Sequence, residues 1–359
     1  MGEKVVQQIR RSTVLVAVLV LFWWLSTYNS LVERFYSGKL FPVFAIVGQS
    51  ITAWIPFSLG DCLYLLGILV FLVFLITIVV NLFRKNYSTA LVRALKALNM
   101  VFVLMVCFYL FWGMNYFRLP LEKRMGLQME IGESCELLEV TALCIERANS
   151  FRKQLKETDL QISNEAIFLK AQNLIASNST LQPYIFSYLP TIKSPITNLQ
   201  VNYTGVAGYF NPFTQEAQVN TSMPIFSKPF TACHELGHQA GIGFEDEANL
   251  IGFILCTESK DLLFQYAAYY NAVFMLLNQL AFQDRDAYFN MLKLIDPAVL
   301  NDAKEEEAYW RRFDGVLTHA SSKFYNEYLQ LNNQPEGLKR YSRMTKLLIA
   351  WKRKIAADF

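Results

Sequence analysis

The sequence is poor in histidine and in charge, and both shortages limit what the protein can be. Only three of the 359 residues are histidines, and charged residues make up 18% of the chain. The formal net charge of +3 is too small to indicate a nucleic-acid-binding protein. None of the six cysteines stands in a CxxC pair, which excludes the common cysteine-based zinc and redox motifs. Internal repeats and low-complexity tracts are missing as well.

Charge is missing above all from the first third of the chain. Three largely apolar segments there contain no Asp, Glu, Lys or Arg: residues 13–28, 62–83 and 97–117. About 20 apolar residues suffice for a helix to cross about 30 Å of hydrocarbon, and soluble helices rarely stay uncharged for so long. We therefore expect a membrane domain over residues 1–117 with about three transmembrane helices, followed by a soluble domain over residues 118–359.

The distribution of basic residues predicts how these segments are oriented. A basic head precedes the first segment as in a signal peptide, but no small-x-small cleavage site follows, so we expect an uncleaved anchor. Lys and Arg are more numerous in this head and in residues 84–96 than in residues 29–61. The positive-inside rule then places residues 118–359 outside the cytoplasm. Prolines, a glycine and polar residues interrupt the apolar stretch 40–59, which favours an interfacial or re-entrant segment over a fourth crossing. A fourth crossing would invert the topology.

The soluble part has the apolar periodicity of a mainly helical domain with a small β element. Helices are predicted over residues 130–157, 164–178, 246–283, 302–333 and 337–357. Weak alternation over residues 196–210 and the short run 215–220 predict a hairpin or small sheet between the second and third of these helices. The fold class expected is therefore mainly α, with transmembrane helices followed by a mostly helical domain of the zincin type.

The zincin assignment rests on residues 231–249, TACHELGHQAGIGFEDEAN, which contain the pattern H-E-x-x-H. On a helix, His234 and His238 project from one face about one turn apart, so both imidazoles can bind one Zn²⁺. Glu235 is displaced round the helix and can instead take a proton from a zinc-bound water. Two of the three histidines in the chain form this pattern.

A catalytic zinc needs a third protein ligand. Metzincins place a histidine where this chain has Phe244, which disfavours that class, and His319 is predicted to be an ordinary histidine. Gluzincins use a glutamate from a following helix, often in an E-x-x-x-D pattern, and residues 245–249 resemble it. We expect Glu245 to be the ligand and Asn249 to orient a ligand histidine, with Glu247 as the second candidate for the ligand.

Residues 208–220, upstream of the motif, are rich in aromatic and turn residues. In zincins an edge strand before the site helix pairs with an extended substrate, and Tyr209, Asn211 and Phe213 are the candidate substrate contacts here. An ordinary hairpin without such a role is the equal alternative. Tyr209 and Tyr341 are also candidates for stabilising an oxyanion.

With these residues identified, the chain resembles an uncharacterised family of bacterial membrane proteins, domain of unknown function 3810. The resemblance covers nearly the whole chain and is carried by GYFNPFTQEAQVN, the H-E-L-x-H block with E-D-E-A-N, YWRRFDG and KRYSRMTKLLIAW. It implies a gluzincin-like metallopeptidase of the bacterial cell membrane, with one zinc per chain and an undetermined substrate. Asn249, where gluzincins usually have aspartate, is a departure from their pattern.

The function expected is hydrolysis of peptide bonds by a zinc-activated water, with the lipid bilayer and a peptide or protein substrate as partners. Hydrolysis of another amide uses the same residues and stays open. A scaffold or binding protein with a structural or vestigial zinc site is the alternative from another class, although such a site has no use for Glu235. The spans lack the ionisable residues of a transport path, which disfavours a transporter.

Two further features leave alternatives open. The basic, apolar stretch 339–354 could lie along anionic lipid or pack as an ordinary terminal helix. Cys135 and Cys144 could form a disulfide outside the cytoplasm or remain thiols.

Overall fold

The computed structural model of the chain describes residues 2–129, 134–334 and 341–357, and its described part is mainly helical with one small sheet. The α-helices of these residues are α1 Gly2–Ser26, α2 Asn29–Leu31, α3 Phe41–Thr52, α4 Leu59–Phe83, α5 Tyr87–Phe111, α6 Leu121–Met125, α7 Ser134–Gln154, α8 Glu157–Leu160, α9 Asn164–Ser177, α10 Asn198–Tyr203, α11 Lys228–Gln239, α12 Glu245–Thr257, α13 Leu262–Gln283, α14 Arg285–Leu292, α15 Pro297–Arg311, α16 Val316–Leu331 and α17 Tyr341–Ala357. A π-helix spans Val32–Leu40, and 3₁₀-helices span Gly113–Phe117 and Ile225–Ser227.

Three helices, α1, α4 and α5, are long and apolar enough to cross a membrane. Each has 25 residues, which at 1.5 Å per residue gives a length of about 37 Å. They pack side by side, α1 and α4 each against α5, and most of their apolar side chains face outwards. An apolar outer surface of this extent is stable in lipid and not in water, so the three helices indicate a membrane protein.

The third apolar helix ends earlier than the sequence predicts. α5 stops at Phe111 and not at Phe117, because the chain turns there into the 3₁₀-helix Gly113–Phe117. Trp112 and Tyr116 are buried in a cluster with Phe41. The aromatic end of the predicted span therefore packs inside the protein, which corrects its assignment to residues 97–117.

The interrupted apolar stretch 40–59 forms the helix α3 and the loop after it. α3 continues a helical run that starts with α2 and the π-helix, so the run extends over residues 29–52. It carries Glu33, Arg34 and Lys39 and is not among the helices that are long and apolar enough to cross a membrane. α3 lies against the soluble part of the chain. Phe41 and Ala45 are fully buried, and the Gln49 side chain accepts a hydrogen bond from the Leu189 N–H at 3.0 Å.

The soluble part is built around α13, whose Phe264 and Tyr266 side chains are fully buried. α7, α12 and α17 pack against α13, and α11 packs between α12 and α9. Two predicted helices are each divided in two. The run 246–283 breaks before Leu262, where the Asp261 side chain caps α13, and the run 302–333 breaks between α15 and α16. The first residues of the predicted helix 130–157 and the start of 337–357 lie outside the described residues.

The sheet has three strands, β1 Ile192–Lys193, β2 Gly208–Asn211 and β3 Glu216–Val219, in the order β1-β3-β2. β2 and β3 form the predicted hairpin, with Gly208 opposite Val219 and Asn211 opposite Glu216. β1 pairs in parallel with β3, and residues 198–203 form α10 where weak alternation suggested a strand. β2 is therefore an edge strand next to α11.

The two open alternatives are decided by packing. The apolar side of α17 is buried against the core through residues such as Leu347 and Trp351, so α17 is a packed terminal helix and not a lipid-bound one. No disulfide links Cys135 and Cys144 or any other cysteines of the described chain.

Candidate metal centre

The helix α11 carries the H-E-x-x-H pattern and is held at both ends. Pro229 occupies its first turn, where proline costs no hydrogen bond, and most of the helix is buried. Gly241 follows its end with φ +86°, a conformation that favours glycine. A Cβ at this position would lie 2.6 Å from the Phe41 ring. The turn toward α12 therefore also requires a residue without a side chain.

Both histidines are oriented by a hydrogen bond at Nδ1. His234 Nδ1 lies 2.8 Å from Asn249 Oδ1, and His238 Nδ1 lies 2.8 Å from the Ile242 carbonyl oxygen. Because both partners are acceptors, each ring donates through Nδ1–H, which leaves Nε2 as the ring atom that faces the cluster. The two Nε2 atoms point to the same place and lie 3.1 Å apart.

Glu245, the first residue of α12, completes a triangle with the two imidazoles. Its carboxylate oxygens lie 3.3 Å from His234 Nε2 and 3.3 Å from His238 Nε2. Ligand atoms about 2.0–2.1 Å from one tetrahedral ion lie about 3.3 Å from each other, and the His–His distance and each His–Glu245 distance are close to this value. The three donor groups therefore fit a divalent metal ion with one position left for water or substrate.

The charges in the cluster support the same arrangement. The charge and hydrogen bond of Glu245 outweigh burial and raise the pKa of His238 to about 9. Burial alone would raise the pKa of Glu245, but the two imidazoles hold it well below its usual value. The three side chains thus favour a positive charge at the point where they meet.

Glu235 lies beside this cluster and is not a member of it. Its side chain is buried, and its Oε2 atom has no hydrogen-bond partner among the described residues. Burial raises the pKa of Glu235 to about 7, against the opposing effect of His234 and His238. The carboxylate lies against β2, where a Cβ added to Gly208 would come within 2.7 Å of Glu235 Oε1.

Tyr325 belongs to the site although its sequence context does not single it out. Tyr325 lies on α16, 80 residues after Glu245, and its hydroxyl donates a hydrogen bond of 2.6 Å to Glu245 Oε1. Its ring stacks on Tyr328, whose hydroxyl lies 3.2 Å from that of Tyr116. The chain has 18 tyrosines, and no local sequence pattern distinguishes the one that contacts a glutamate so far away in the sequence.

Two other ligand candidates lie elsewhere. Glu247 is buried, accepts a hydrogen bond from the Leu121 N–H at 2.8 Å and lies 3.8 Å from Arg124. Burial raises its pKa to about 7 despite Arg124, and its carboxylate is outside the cluster. His319 is exposed and donates to the Gly315 carbonyl oxygen.

The three candidate substrate residues have different surroundings. Tyr209 lines the cavity in front of the histidines, but its hydroxyl donates to Asp61 in the first turn of α4 and not toward the cluster. Asn211 is buried, and its side chain accepts hydrogen bonds from the Phe213 and Thr214 N–H groups, so it forms the hairpin turn. Phe210, which the sequence did not single out, lines the cavity, and Phe213 does not. The side chain of Tyr341 lies outside the described part of the chain.

The cavity has a volume of about 610 Å³, in the range of small-molecule and short-peptide sites. β2 forms one wall and α16 forms another, while the cluster lies at the bottom. Trp112 closes the side next to α5, and its Nε1–H donates to the His238 carbonyl oxygen at 2.9 Å. Side chains from the end of an apolar helix and from the soluble part thus build one site.

Comparison with known proteins shows the family to which the chain belongs. A family model described as "Protein of unknown function (DUF3810)" matches residues 36–349. Searches of curated proteins and of solved structures found no match. Because the matched segment covers most of the chain and includes His234, His238 and Glu245, the chain belongs to the family described as Protein of unknown function (DUF3810).

Proposed function

We propose that this protein is a membrane-anchored, zinc-dependent metallopeptidase of the gluzincin type, with a zincin-like catalytic domain. The observation that carries the proposal is the cluster of His234 Nε2, His238 Nε2 and the Glu245 carboxylate beside the buried Glu235 side chain. The two nitrogens lie 3.1 Å apart, and each lies 3.3 Å from a different Glu245 oxygen. A purely structural zinc site is closed by four protein ligands. Three ligands and an adjacent carboxylate without a partner favour catalysis.

Each residue has a separate task in this proposal. Bound zinc would supply a Lewis acid that polarises a carbonyl oxygen and lowers the pKa of a water molecule toward about 7. Glu235 accepts the proton of the attacking water and delivers it to the leaving amine. Asn249 and the Ile242 carbonyl hold the imidazoles in the binding orientation. Tyr325 positions Glu245 through its hydroxyl.

The surroundings favour an extended peptide as the substrate. β2 is an edge strand, and Gly208, Tyr209 and Phe210 line the cavity next to Glu235. A substrate backbone that added to this edge would bring a peptide bond in front of the cluster. Hydrolysis of a non-peptide amide would use the same groups and differs only in the substrate that the cavity accepts.

The positive-inside distribution of Lys and Arg supports a location of this domain outside the cytoplasm. Crossings by α1, α4 and α5 would place both the N-terminus and residues 84–86 on the cytoplasmic side. The helical run 29–52 carries three charged residues and packs against the rest of the chain through Phe41 and Ala45, which favours three crossings.

The test is metal content and peptide hydrolysis by the full chain in detergent. We expect about one zinc per chain in the wild type, in Glu235→Gln and in His319→Ala, and loss of zinc in His234→Ala. Hydrolysis of a random peptide library should be seen with the wild type and His319→Ala alone, and a chelator should abolish it. His319→Ala is the matched control because it removes the third, exposed histidine of the chain.

The outcomes separate the functional classes. A wild type that binds no zinc after reconstitution would refute a metal centre. Zinc bound equally by the wild type and Glu235→Gln, without hydrolysis of any peptide or amide by either, would favour the scaffold alternative.

A further inference from the structure

The helix α16 covers the cavity and carries an apolar stripe on its outer surface. Its inner side chains, among them Tyr325 and Tyr328, line the cavity. Leu317, Phe324 and Leu331 follow one another at intervals of seven residues, so they form one line along the helix. Their exposed fractions are 66%, 72% and 80%, which leaves the whole stripe uncovered by the described chain.

The C-terminal half of this stripe lies at the end of an apolar helix. Tyr328 lies one turn after Phe324 and about 40° round α16 toward the cavity, and its ring centroid lies 6.1 Å from that of Phe108. Asn332, next to Leu331, accepts a hydrogen bond from the Tyr109 hydroxyl at 3.3 Å. Phe108 and Tyr109 belong to the last turn of α5, so this half of the stripe lies beside the end of a helix that is long and apolar enough to cross a membrane.

The N-terminal half is linked to the start of another apolar helix through α10. Thr318 donates to the Tyr203 carbonyl oxygen at 2.9 Å, and Tyr203 is the last residue of α10. Two residues before α10, the Ile196 N–H donates to Asp61 in the first turn of α4 at 2.7 Å. Both ends of α16 are therefore tied to segments that border the apolar helices.

The opposite side of α16 is polar. His319, Lys323 and Gln330 are exposed and lie about 100–140° round the helix from the stripe. An exposed helix with one apolar side, next to the ends of membrane-crossing helices, has the properties of an amphipathic helix in the membrane interface.

We infer that the Leu317, Phe324 and Leu331 stripe lies in the lipid of the membrane interface, at the boundary between headgroups and acyl chains. The bilayer is the occupant that the surroundings favour, because the stripe lies beside the end of α5, whose apolar side chains are exposed over much of its length. A substrate attached to the same membrane would then meet the cavity directly under α16. That consequence rests on the proposed function, whereas the lipid contact does not.

The experiment places an environment-sensitive fluorescent amino acid at position 324 of the full chain, reconstituted in phosphatidylcholine vesicles. The matched control carries the same probe at position 323, the exposed lysine beside it at nearly the same height on the helix. The Phe324 side chain is 72% exposed, so the probe replaces no packing contact of the core. We expect blue-shifted emission at position 324 that lipids brominated near the headgroup quench at least twofold, and water-like, unquenched emission at position 323.

Other outcomes would overturn the inference. Water-like emission at both positions would show that the stripe faces solvent. Blue-shifted emission at position 324 without quenching by brominated lipid would show that a protein surface, such as a second copy of this chain, covers it. Because the readout needs neither zinc nor hydrolysis, failure here leaves the proposed activity untouched, and loss of activity leaves the lipid contact untouched.

Discussion

Asn249 orients one of the two imidazoles of the cluster through a single amide. Its side chain contacts His234 Nδ1 and leaves Nε2 aimed at the cluster. Asparagine and aspartate both present an oxygen to an imidazole N–H, so the departure from the gluzincin pattern keeps the orienting contact while it removes one negative charge.

We expect Asn249→Ala to weaken zinc binding by about 10–100-fold, because the His234 ring loses the partner that fixes its orientation. Zinc affinity measured by competition with a chelator checks this, and Asn249→Asp should retain the affinity. Asn271→Ala is the control, since Asn271 also lines the cavity but donates to the Ala267 carbonyl of its own helix. Equal affinity in Asn249→Ala and the wild type would contradict the orienting role.

Gly208 sets the position of Glu235 through close packing. A Cβ there would lie 2.7 Å from Glu235 Oε1 and 2.9 Å from the Gln218 carbonyl oxygen, so the carboxylate must shift. For Gly208→Ala we expect kcat/KM for peptide hydrolysis to fall by about 100-fold, as for other displacements of about 1 Å, while zinc content stays at the wild-type level. Gly67→Ala is the control, because nothing lies within 4 Å of a Cβ at Gly67. Wild-type activity in Gly208→Ala would mean that Glu235 has room to move.

The residues of the cluster differ in how far the sequence predicts them. The positions of His234, Glu235 and His238 follow from helical spacing alone, because all three lie on one helix. The sequence predicts Glu245 as the third ligand ahead of Glu247, but it does not exclude Glu247, since the choice depends on where α12 begins. Tyr325 depends on a contact between α12 and α16, which no local pattern encodes.

At the scale of elements, the sheet and the helix α4 are joined by a buried ion pair. Glu216 on β3 accepts hydrogen bonds from the Leu59 and Gly60 N–H groups at 3.1 and 2.7 Å, and it also pairs with Lys193. The carboxylate thus caps the start of an apolar helix, where a negative charge is favourable. This connection fixes the edge of the sheet relative to the membrane helices.

We expect Glu216→Ala to lower the free energy of unfolding by about 3–5 kcal/mol, because it leaves the Lys193 ammonium buried without its partner. Chemical unfolding in detergent, followed by circular dichroism, measures the change. Glu307→Ala removes an exposed ion pair with Arg311 and should change stability by less than about 1 kcal/mol. A shift in Glu216→Ala as small as in Glu307→Ala would show that water or another group replaces the carboxylate.

A second ion pair connects the π-helix to the turn that follows α11. Arg118 donates to both Glu33 oxygens at 2.8 and 2.9 Å and to the Gly241 carbonyl oxygen at 2.9 Å. Burial alone would raise the pKa of Glu33, but Arg118 outweighs it and holds the pKa below the usual value. The ionised form of Glu33 is therefore favoured by folding.

A carboxylate whose pKa is lowered in the folded state stabilises the protein above its unfolded pKa of about 4.3, and this contribution is lost as the pH falls through the lowered value. We thus expect the wild type to melt at a higher temperature than Glu33→Gln at pH 7, and the difference to shrink toward zero on acidification below about pH 4. Glu139→Gln, at an exposed position, should match the wild type throughout. A difference that does not depend on pH would point to packing and not to charge.

Helix boundaries were harder to predict than helices. The runs 246–283 and 302–333 have continuous apolar periodicity, yet each is broken where a short polar segment lets the chain change direction. The Asp261 cap that starts α13 is a single hydrogen bond to the Leu263 N–H at 2.9 Å. Such a contact is too weak to stand out against the periodicity of a long helix, so tertiary packing decides the break.

At the scale of the whole molecule, the segments next to the three long apolar helices and the rest of the chain share one packed region. Phe41, Trp112 and Tyr116 belong to a buried cluster against which Phe210 and Tyr328 pack from the soluble part. The sequence predicts a boundary near residue 117 because charge returns there. Packing does not follow that boundary, since an aromatic end that suits a membrane interface suits a protein core as well.

We therefore expect a fragment of residues 118–359 to lose the geometry of the metal centre. It would lack the Trp112 indole that holds the His238 carbonyl, the Phe41 ring against Gly241 and the first turn of α4 under Glu216. Zinc affinity at least 10-fold below that of the full chain, with faster amide hydrogen exchange in α11, is the expected result. A fragment that binds zinc as tightly as the full chain would show that α11, α12 and their core neighbours fix the site by themselves. The membrane helices would then anchor the protein without shaping its cavity.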